Sequence, residues 1–302
     1  MTGGPLLGEA ACLLAASLWA VTVAMFRGPI ERHGARAINL AKCAIAGALL
    51  GATLVALGWG RAFGGTERGD LLLVGLSGLV GLTVGDSALF ASVRRLGPYR
   101  ALLLQTTAPI VTALLATGLQ GERFGLARAL GMALTLSGVA LVVAPRRGGG
   151  SGASGIRASG SAGIAFGLLA AVGQGSGIVL AKAGMTTLGS LPASFVRLAT
   201  AAAGLLVVGL FDGTVSRSAD LARTPPSLAR VVPAAVLGSY AGIFLMMYGV
   251  GAAPASVAAV LLSTTPVFSL FLDVARGRER LGLRPVLGTL LAIAGVAVLT
   301  GK

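Results

Sequence analysis

The sequence predicts an all-α membrane protein with ten transmembrane helices in two inverted five-helix repeats. Of the 302 residues, 55% are hydrophobic and only 11% are charged. The mean hydropathy is +0.88. Soluble domains carry roughly 25% charged residues, so this chain cannot cover itself with a polar surface. The second observation is an internal repeat, in which a pattern from the first half of the chain returns in the second half.

The repeat is marked by pairs of identical residues at matching positions. These pairs are Pro109 and Pro266, Glu122 and Glu279, Arg123 and Arg280, Gly125 and Gly282, Gly131 and Gly288, and Gly138 and Gly295. Each copy contains an odd number of long apolar segments, so the two copies are predicted to cross a bilayer in opposite senses. This layout is typical of membrane transporters.

A helix needs about 20 apolar residues to span the hydrocarbon core. The stretches that qualify are 6–26, 36–58, 70–91, 100–120, 125–144, 160–181, 191–211, 230–250, 254–274 and 281–300. Backbone polar groups in lipid must bond internally, so each stretch is predicted to be a helix. The Gly- and Ser-rich segment 145–160 is predicted to be a flexible linker. It separates a first repeat, 1–144, from a second repeat, 161–302.

The net charge of +14 comes mainly from Lys and Arg in short loops between the apolar segments. There they meet anionic lipid headgroups, and we expect no nucleic-acid partner. The loops on one side of the predicted bundle carry most of these residues, and the positive-inside rule then places both termini outside the cell. Cys12 and Cys43 lie inside spans and His33 is alone in a loop, so the sequence predicts no metal or other cofactor.

Ionisable residues at membrane depth are costly and therefore indicate function. Lys42 and Arg197 occupy matching positions in the second and seventh spans. They either attract an anionic substrate group or extend to the membrane surface and anchor their helices. Asp86, deep in the third span, either pairs with Lys42 or is a proton-coupling carboxylate. Its counterpart in the second repeat is Ile243.

Other polar and aromatic residues complete a predicted substrate site. Asn39 and Ser194 each precede the paired cation by one helical turn, which places them on the same helix face. Trp19 and Gln174 are counterparts in the first and sixth spans, and Gln105 lies in the fourth. These groups are candidates for the wall of a cavity, although packing alone is the commoner reason for a buried Trp.

Three further pairs of matching residues are expected to shape the scaffold. Pro109 and Pro266 lie within the fourth and ninth spans, where a proline kinks a helix, and we interpret them as gating bends. The Thr-Thr pair before each proline can satisfy the freed backbone groups. The glycines spaced seven residues apart in the fifth and tenth spans predict close helix packing. Glu122 and Glu279 are interpreted as structural caps at the start of the following helices.

The sequence also resembles a known family. The first half contains GD…LF…RRLGPYRALLLQTTAPI…GERFGL…ALGMALTLSGVALVV, and the second half contains APASVAAVLLSTTPVFSLFL…RERLGLRPVLGTLLAIAGVAVL. Both are similar to the EamA half of the drug/metabolite transporter superfamily. The first-span LLAASLWA resembles the Trp-Gly signature of this family, with Ala20 in place of the glycine.

The resemblance implies a ten-helix transporter in which spans one to four and six to nine enclose a central cavity. The fifth and tenth spans would pack at the back. Members of the family move amino acids, phosphorylated metabolites and toxic compounds, often outward, and usually have both termini in the cytoplasm. This orientation is opposite to the one that the loop charges predict.

We therefore expect a multi-pass transporter in a cell membrane, by analogy the inner membrane of a bacterium. Its expected substrates are small polar metabolites, either amino-acid-like or otherwise anionic or zwitterionic, moved outward by alternating access between the repeats. The alternative is a non-transporting membrane scaffold or lipid-binding assembly protein, whose centre would be filled by large apolar side chains. An enzyme is the least expected class, because the sequence offers no nucleophile–base or metal constellation.

Overall fold

The computed structural model describes residues 5–120, 125–143, 153–252, 261–277 and 282–300. All regular secondary structure within these ranges is helical. The predicted caps Glu122 and Glu279 lie outside the described residues, as do residues 145–152 of the predicted linker, whereas residues 153–160 belong to the helix that begins at Ala153.

The first repeat contains eight described α-helices and one π-helical segment. In chain order they are α1 (Pro5–His33), α2 (Ala35–Leu57), α3 (Trp59–Phe63), α4 (Arg68–Gly78), the segment π1 (Leu79–Asp86), α5 (Ser87–Leu96), α6 (Pro98–Gln105), α7 (Ala108–Gln120) and α8 (Leu126–Val143). Since α4, π1 and α5 follow one another without interruption, they form one continuous helical rod.

The second repeat follows the same order as far as the structure describes it. Its elements are α9 (Ala153–Ala183), α10 (Ser190–Asp212), α11 (Thr214–Ala222), α12 (Pro225–Ala234), the segment π2 (Ala235–Ala241), α13 (Gly242–Ala252), α14 (Thr265–Ala275) and α15 (Leu283–Thr300). Here α12, π2 and α13 form the continuous rod that corresponds to α4, π1 and α5.

Six helical rods are long and apolar enough to cross a membrane. They are Leu6–His33, Ala35–Leu57, Arg68–Leu96, Gly160–Ala183, Ser190–Asp212 and Pro225–Ala252. Three shorter apolar helices accompany them: Ala129–Leu141, Thr265–Ala275 and Leu283–Val298. The chain is thus an integral multi-pass membrane protein, whereas the number ten stays a prediction.

The fourth predicted span consists of two helices, α6 and α7, which meet just before Pro109, where the sequence predicts a bend. Pro109 has no amide hydrogen and cannot donate to the carbonyl of Gln105. The chain between the helices therefore turns more tightly. Thr106 donates both its backbone N–H, at 3.1 Å, and its hydroxyl, at 2.7 Å, to the carbonyl of Leu103.

The second repeat has the same break before α14. Thr264 donates its backbone N–H, at 3.1 Å, and its hydroxyl, at 2.6 Å, to the carbonyl of Leu261. The next threonine, Thr265, donates its hydroxyl to Leu262 at 2.7 Å. The expectation that the threonines satisfy the backbone near the prolines is confirmed in both repeats.

Sequence reasoning missed the segments π1 and π2, which occupy matching positions in the two repeats. Segments of this kind are rare and occur often at functional sites. Both contain glycines that touch the first helix of the other repeat. A Cβ on Gly85 would lie 3.4 Å from the backbone N of Gln174, and one on Gly238 would lie 3.0 Å from Cβ of Thr22.

The first helix of each repeat packs in antiparallel fashion on the continuous rod of the other repeat, α1 on α12–π2–α13 and α9 on α4–π1–α5. The start of α1 contacts the end of α13, where a Cβ on Gly249 would lie 2.9 Å from the carbonyl of Gly8. Further along α1, Trp19 contacts Gly242 at the start of α13. In the symmetry-related pair, Gly184 directly follows α9, and a Cβ on it would lie 2.7 Å from the carbonyl of Asp70 near the start of α4.

The helices α8 and α15 form the closest packed pair of the described structure. A Cβ on Gly138 would lie 2.5 Å from the carbonyl of Gly288, and one on Gly295 would lie 2.7 Å from the carbonyl of Gly131. The prediction that these four glycines serve close packing is confirmed. In a bilayer, where lipid is as apolar as a Leu side chain, such packing is a main source of helix association.

Replacing Gly138 with alanine is expected to lower the free energy of unfolding by about 1–3 kcal/mol, because the added methyl group overpacks the crossing. Thermal unfolding of the purified protein in detergent measures the change. Gly160→Ala, in α9, is the matched control because no atom lies within 4 Å of a Cβ at that position. Equal midpoints for the two variants would contradict the close approach of α8 and α15.

Candidate functional site

A cavity of about 60 Å³ lies between the two repeats. Its lining residues are Trp19, Thr22, Val23, Phe26, Lys42, Leu82, Asp86, Leu89, Phe90, Leu102, Gln105, Gln174, Arg197, Gly238, Ser239, Ile243 and Met246. A buried water needs roughly 10–15 Å³, so the space suits a few waters or one small polar group. Six of the eight predicted substrate-site residues are in its wall.

Lys42 and Asp86 form an ion pair in the wall of the cavity. The ammonium group of Lys42 donates to the carboxylate Oδ2 of Asp86. Their side chains are only 5% and 13% exposed, and the Lys42 Nζ also lies 5.4 Å from the ring centroid of Phe90. The pairing interpretation of Asp86 is thus confirmed, and its proton-coupling role stays a prediction.

Arg197, on α10, is the largest fully buried side chain, with 1% of its surface exposed. Its Nη1 donates only to the sulfur of Met247, at 3.5 Å, and a thioether is a weak acceptor. Its Nε and Nη2 atoms are buried and have no hydrogen-bond partner anywhere in the described residues. A guanidinium does not lose its charge in proteins, so the cavity wall contains a charged donor fork that is largely unsatisfied.

The burial of the two cations decides between the interpretations that the sequence left open. Lys42 is 4% exposed as a whole residue and Arg197 is 1% exposed. Neither side chain extends to the protein surface, so surface anchoring was wrong for both. With Asp86 opposite Lys42, the three charges leave the cavity with a single uncompensated positive charge, which lies on Arg197.

The remaining predicted lining residues differ in how far their polar groups are already used. Trp19 donates its indole N–H to the carbonyl of Gly238 at 2.9 Å, which ties α1 to π2. The side-chain oxygen of Gln174 is buried and accepts no hydrogen bond within the described ranges. Gln105 is the last residue of α6, directly before the break that Pro109 imposes. An acceptor and a donor fork are therefore both available in the cavity.

Asn39 and Ser194 are buried but do not line the cavity. The side-chain amide of Asn39 donates to the carbonyl of Leu82 at 2.8 Å and to the hydroxyl of Ser87 at 2.9 Å. The hydroxyl of Ser194 donates to the carbonyl of Ser190, on its own helix, at 2.7 Å. Asn39 shares a helix face with Lys42 and Ser194 shares one with Arg197, as the spacing predicts. Their polar groups, however, are already used in hydrogen bonds that stabilise the helices.

Sequence reasoning missed Gly81, which determines where the Arg197 guanidinium can lie. A Cβ at Gly81 would lie 3.0 Å from Nη2 of Arg197, tighter than most real contacts. The signal was available, because Gly81 matches Gly238 in the second repeat and both lie in a π segment. The lining residues Thr22 and Ser239 gave no signal, since single hydroxyl residues are common in membrane helices.

Comparison with known proteins gives one family and one fold. A family model described as the EamA-like transporter family matches residues 6–144 and 161–301. Among solved structures, a protein whose title reads only "Crystal structure of protein" matches with a TM-score of 0.65 at 22% identity. The match covers 97% of this chain and 94% of the other and shows the fold alone. A search of curated proteins found no match.

Replacing Lys42 with methionine is expected to lower the free energy of unfolding by about 3–5 kcal/mol, because the carboxylate of Asp86 is left buried without a partner. The double variant Lys42→Met with Asp86→Leu should recover most of this loss, since both charges are then gone. Denaturation of both proteins in detergent measures the difference. Equal destabilisation of the single and double variants would show that the pair is not coupled.

Proposed function

Because the chain belongs to the EamA-like transporter family, we propose that it carries small carboxylate-containing metabolites across the membrane through the central cavity. The supporting observation is the Arg197 guanidinium, whose Nε and Nη2 atoms are buried and unpartnered among the described residues. A planar guanidinium binds a carboxylate through two parallel hydrogen bonds. A substrate carboxylate would satisfy the charge and both nitrogens at once.

The charge of the cavity favours a substrate with one negative group, which would lie next to Arg197. Lys42 is already neutralised by Asp86, so only the charge of Arg197 is left to attract an anion. The oxygen of Gln174 can accept a hydrogen bond from an ammonium or hydroxyl group of the same substrate. Amino acids and small hydroxy acids combine these features, and the resemblance to the family supports outward transport.

Alternating access requires closure at either end of the bundle in turn, and the repeats are joined by polar contacts at both ends. At the start of α2, Arg36 pairs with Asp212 of the second repeat. Beyond the end of α2, the carboxylate of Asp70 accepts from the backbone N–H of Thr187 at 2.7 Å and from the hydroxyl of Thr186 at 2.8 Å. During transport, the polar contacts at one end would have to open while those at the other end stay closed.

The helix breaks and π segments supply bending points for this movement. Pro109 and Pro266 each follow a tight turn that interrupts a helix near the cavity. Because the two breaks occupy matching positions in inverted halves, bending one opens an end that bending the other would close.

A non-transporting scaffold would have its centre filled by large apolar side chains. The cavity wall instead contains Lys42, Asp86, Gln105, Gln174 and Arg197. Buried polar groups without partners cost stability, so a protein that needed only to hold lipids or partners would gain nothing from them. The polar cavity therefore favours transport over the scaffold.

Ligand binding is expected to raise the thermal unfolding midpoint of the wild type. The probes are amino acids, 2-hydroxy acids and quaternary amines without a carboxylate. Arg197→Met should abolish the shift or weaken the apparent affinity by at least about a hundredfold, the usual cost of removing one partner of a buried ion pair. Arg197→Lys should restore charge but only part of the affinity, because the donor fork is lost.

The variant Arg197→Met also tests whether Arg197 serves ligand binding or the stability of the fold. Arg197→Met removes an unsatisfied buried charge, so its unliganded unfolding midpoint should equal or exceed that of the wild type. Arg68→Ala, which removes an exposed cation at the start of α4, is the control and should leave both quantities unchanged. A wild-type shift with quaternary amines but not with carboxylates, or a full shift in Arg197→Met, would refute the proposal.

Replacing Pro109 with alanine restores the missing N–H donor and is expected to straighten the junction of α6 and α7. Transport into proteoliposomes should slow several-fold while the affinity measured by thermal shift is unchanged, because the binding residues stay in place. Pro98→Ala is the matched control, since Pro98 lies in the first turn of α6, where proline fits an unbroken helix. Equal transport by the two variants would remove Pro109 from gating.

A further inference from the structure

A second set of unpartnered polar atoms lies on α14, away from the cavity wall. The carboxylate oxygen Oδ1 of Asp273 and the hydroxyl of Ser269 are both buried without a hydrogen-bond partner in the described part of the chain. As whole residues, Asp273 is 5% exposed and Ser269 is 1% exposed. Asp86, the carboxylate in the cavity wall, forms an ion pair with Lys42. Asp273 has no ion-pair partner among the described residues.

The two oxygens belong to one helix face. Ser269 and Asp273 are four residues apart, which places their side chains next to each other on an α-helix. The buried residues of α14 are Thr265, Pro266, Ser269, Leu270 and Asp273, and α14 packs against α1 and α6. The polar pair is therefore enclosed by protein rather than by lipid alone.

The charges near this end of α14 do not neutralise Asp273. The charged and titratable side chains on the packed helices are Glu9, Cys12, Arg27, Glu31, Arg32 and His33 on α1 and Tyr99 and Arg100 on α6, and Arg276 follows α14. Within the described ranges none of them forms an ion pair with Asp273. Arg27 pairs with Glu31 at 3.1 Å. The hydroxyl of Tyr99 donates to the carbonyl of Pro285. Asp273 itself lies in the last turn of its helix, where the helix dipole disfavours a negative charge.

The first repeat provides an internal control for the role of the carboxylate. The matching positions there are Thr112 and Ala116. The hydroxyl of Thr112 is used, since it donates to the carbonyls of Ala108 at 3.2 Å and of Gly175 at 3.4 Å. Because α7 packs on α9 as α14 packs on α1, the fold accepts alanine at this position. Packing does not explain the acid in the second repeat.

We propose that Asp273 and Ser269 form a binding site for a small monovalent cation, either a proton or Na⁺. A cation at this place is favoured both by the buried carboxylate and by the C-terminal end of α14, which comes two residues after Asp273 and carries a partial negative charge. A bound cation cancels the buried charge and holds α14 against α1, the helix that carries Trp19 into the cavity wall.

The first arm of the test measures Na⁺ binding through thermal unfolding of the full-length protein in detergent. Choline chloride replaces NaCl at constant ionic strength, and no substrate is added. A Na⁺ site predicts a midpoint that rises with Na⁺ in the wild type and in the control Asp220→Asn, whose exposed carboxylate is far along the chain. The rise should be absent in Asp273→Asn and about tenfold weaker in affinity in Ser269→Ala, which loses one ligand.

The second arm measures proton binding by infrared spectroscopy of the same proteins, with isotope exchange in D₂O. A proton site predicts a buried carboxylic acid C=O band in the wild type and in Asp220→Asn that is missing in Asp273→Asn. Asp273→Ala, which copies the residue of the first repeat, repeats both measurements if the asparagine variant fails to fold. A Na⁺-dependent midpoint or an acid band that is lost only in the Asp273 variants supports the site.

If neither signal depends on Asp273, the proposal is overturned. Neither arm uses transport or an organic substrate, so a negative result here leaves the assignment of Arg197 to the substrate untouched. Conversely, a wild type that binds no carboxylate would leave the cation site standing.

Discussion

Close backbone contact between helices of opposite repeats is the constraint on which the rest of the structure depends. Lipid tails are as apolar as the side chains of these helices, so the hydrophobic effect does not drive the helices together. Their association must come from packing and polar contacts. A Cβ on Gly173 would lie 2.8 Å from Cα of Gly85, and one on Gly177 would lie 2.9 Å from Cα of Gly81. These contacts join α9 directly to π1, and Gln174 and Asp86, which follow Gly173 and Gly85, both line the cavity.

The same contacts explain why a buried arginine can be tolerated. Gly81 leaves room beside Nη2 of Arg197, and the ion pair of Lys42 and Asp86 keeps the total charge of the cavity at one. An unpaired buried charge costs several kcal/mol, so the scaffold must supply this energy from packing elsewhere, as at the crossing of α8 and α15. In the proposed function, a substrate anion would satisfy the unpartnered donors of Arg197 and offset part of this cost.

The residues that sequence reasoning found were those whose chemistry is out of place in lipid. The sequence identified Lys42, Asp86 and Arg197, because an ionisable side chain in the middle of a membrane span costs free energy and therefore indicates function. Asp273 escaped because it lies at the end of its predicted span, where an acid is expected at the interface. The sequence did not predict π1 and π2, because a π-helical segment depends on the backbone register and not on a residue type. Asn39 and Ser194 share a face with the cations, but which neighbour a hydroxyl or amide binds depends on tertiary contacts that no spacing encodes.

The two repeats share their scaffold and differ in their charges. Glycines and prolines recur at matching positions, as do the helix breaks before Pro109 and Pro266. Asp86 corresponds to Ile243 and Asp273 to Ala116, so both of these acids have an apolar counterpart in the other repeat. A fully symmetric protein would have the same energy open to either side and the same affinity for its ligands in both states. Because a ligand shifts an equilibrium only by its differential affinity, the two unmatched carboxylates are where the states of the proposed alternating-access cycle would differ.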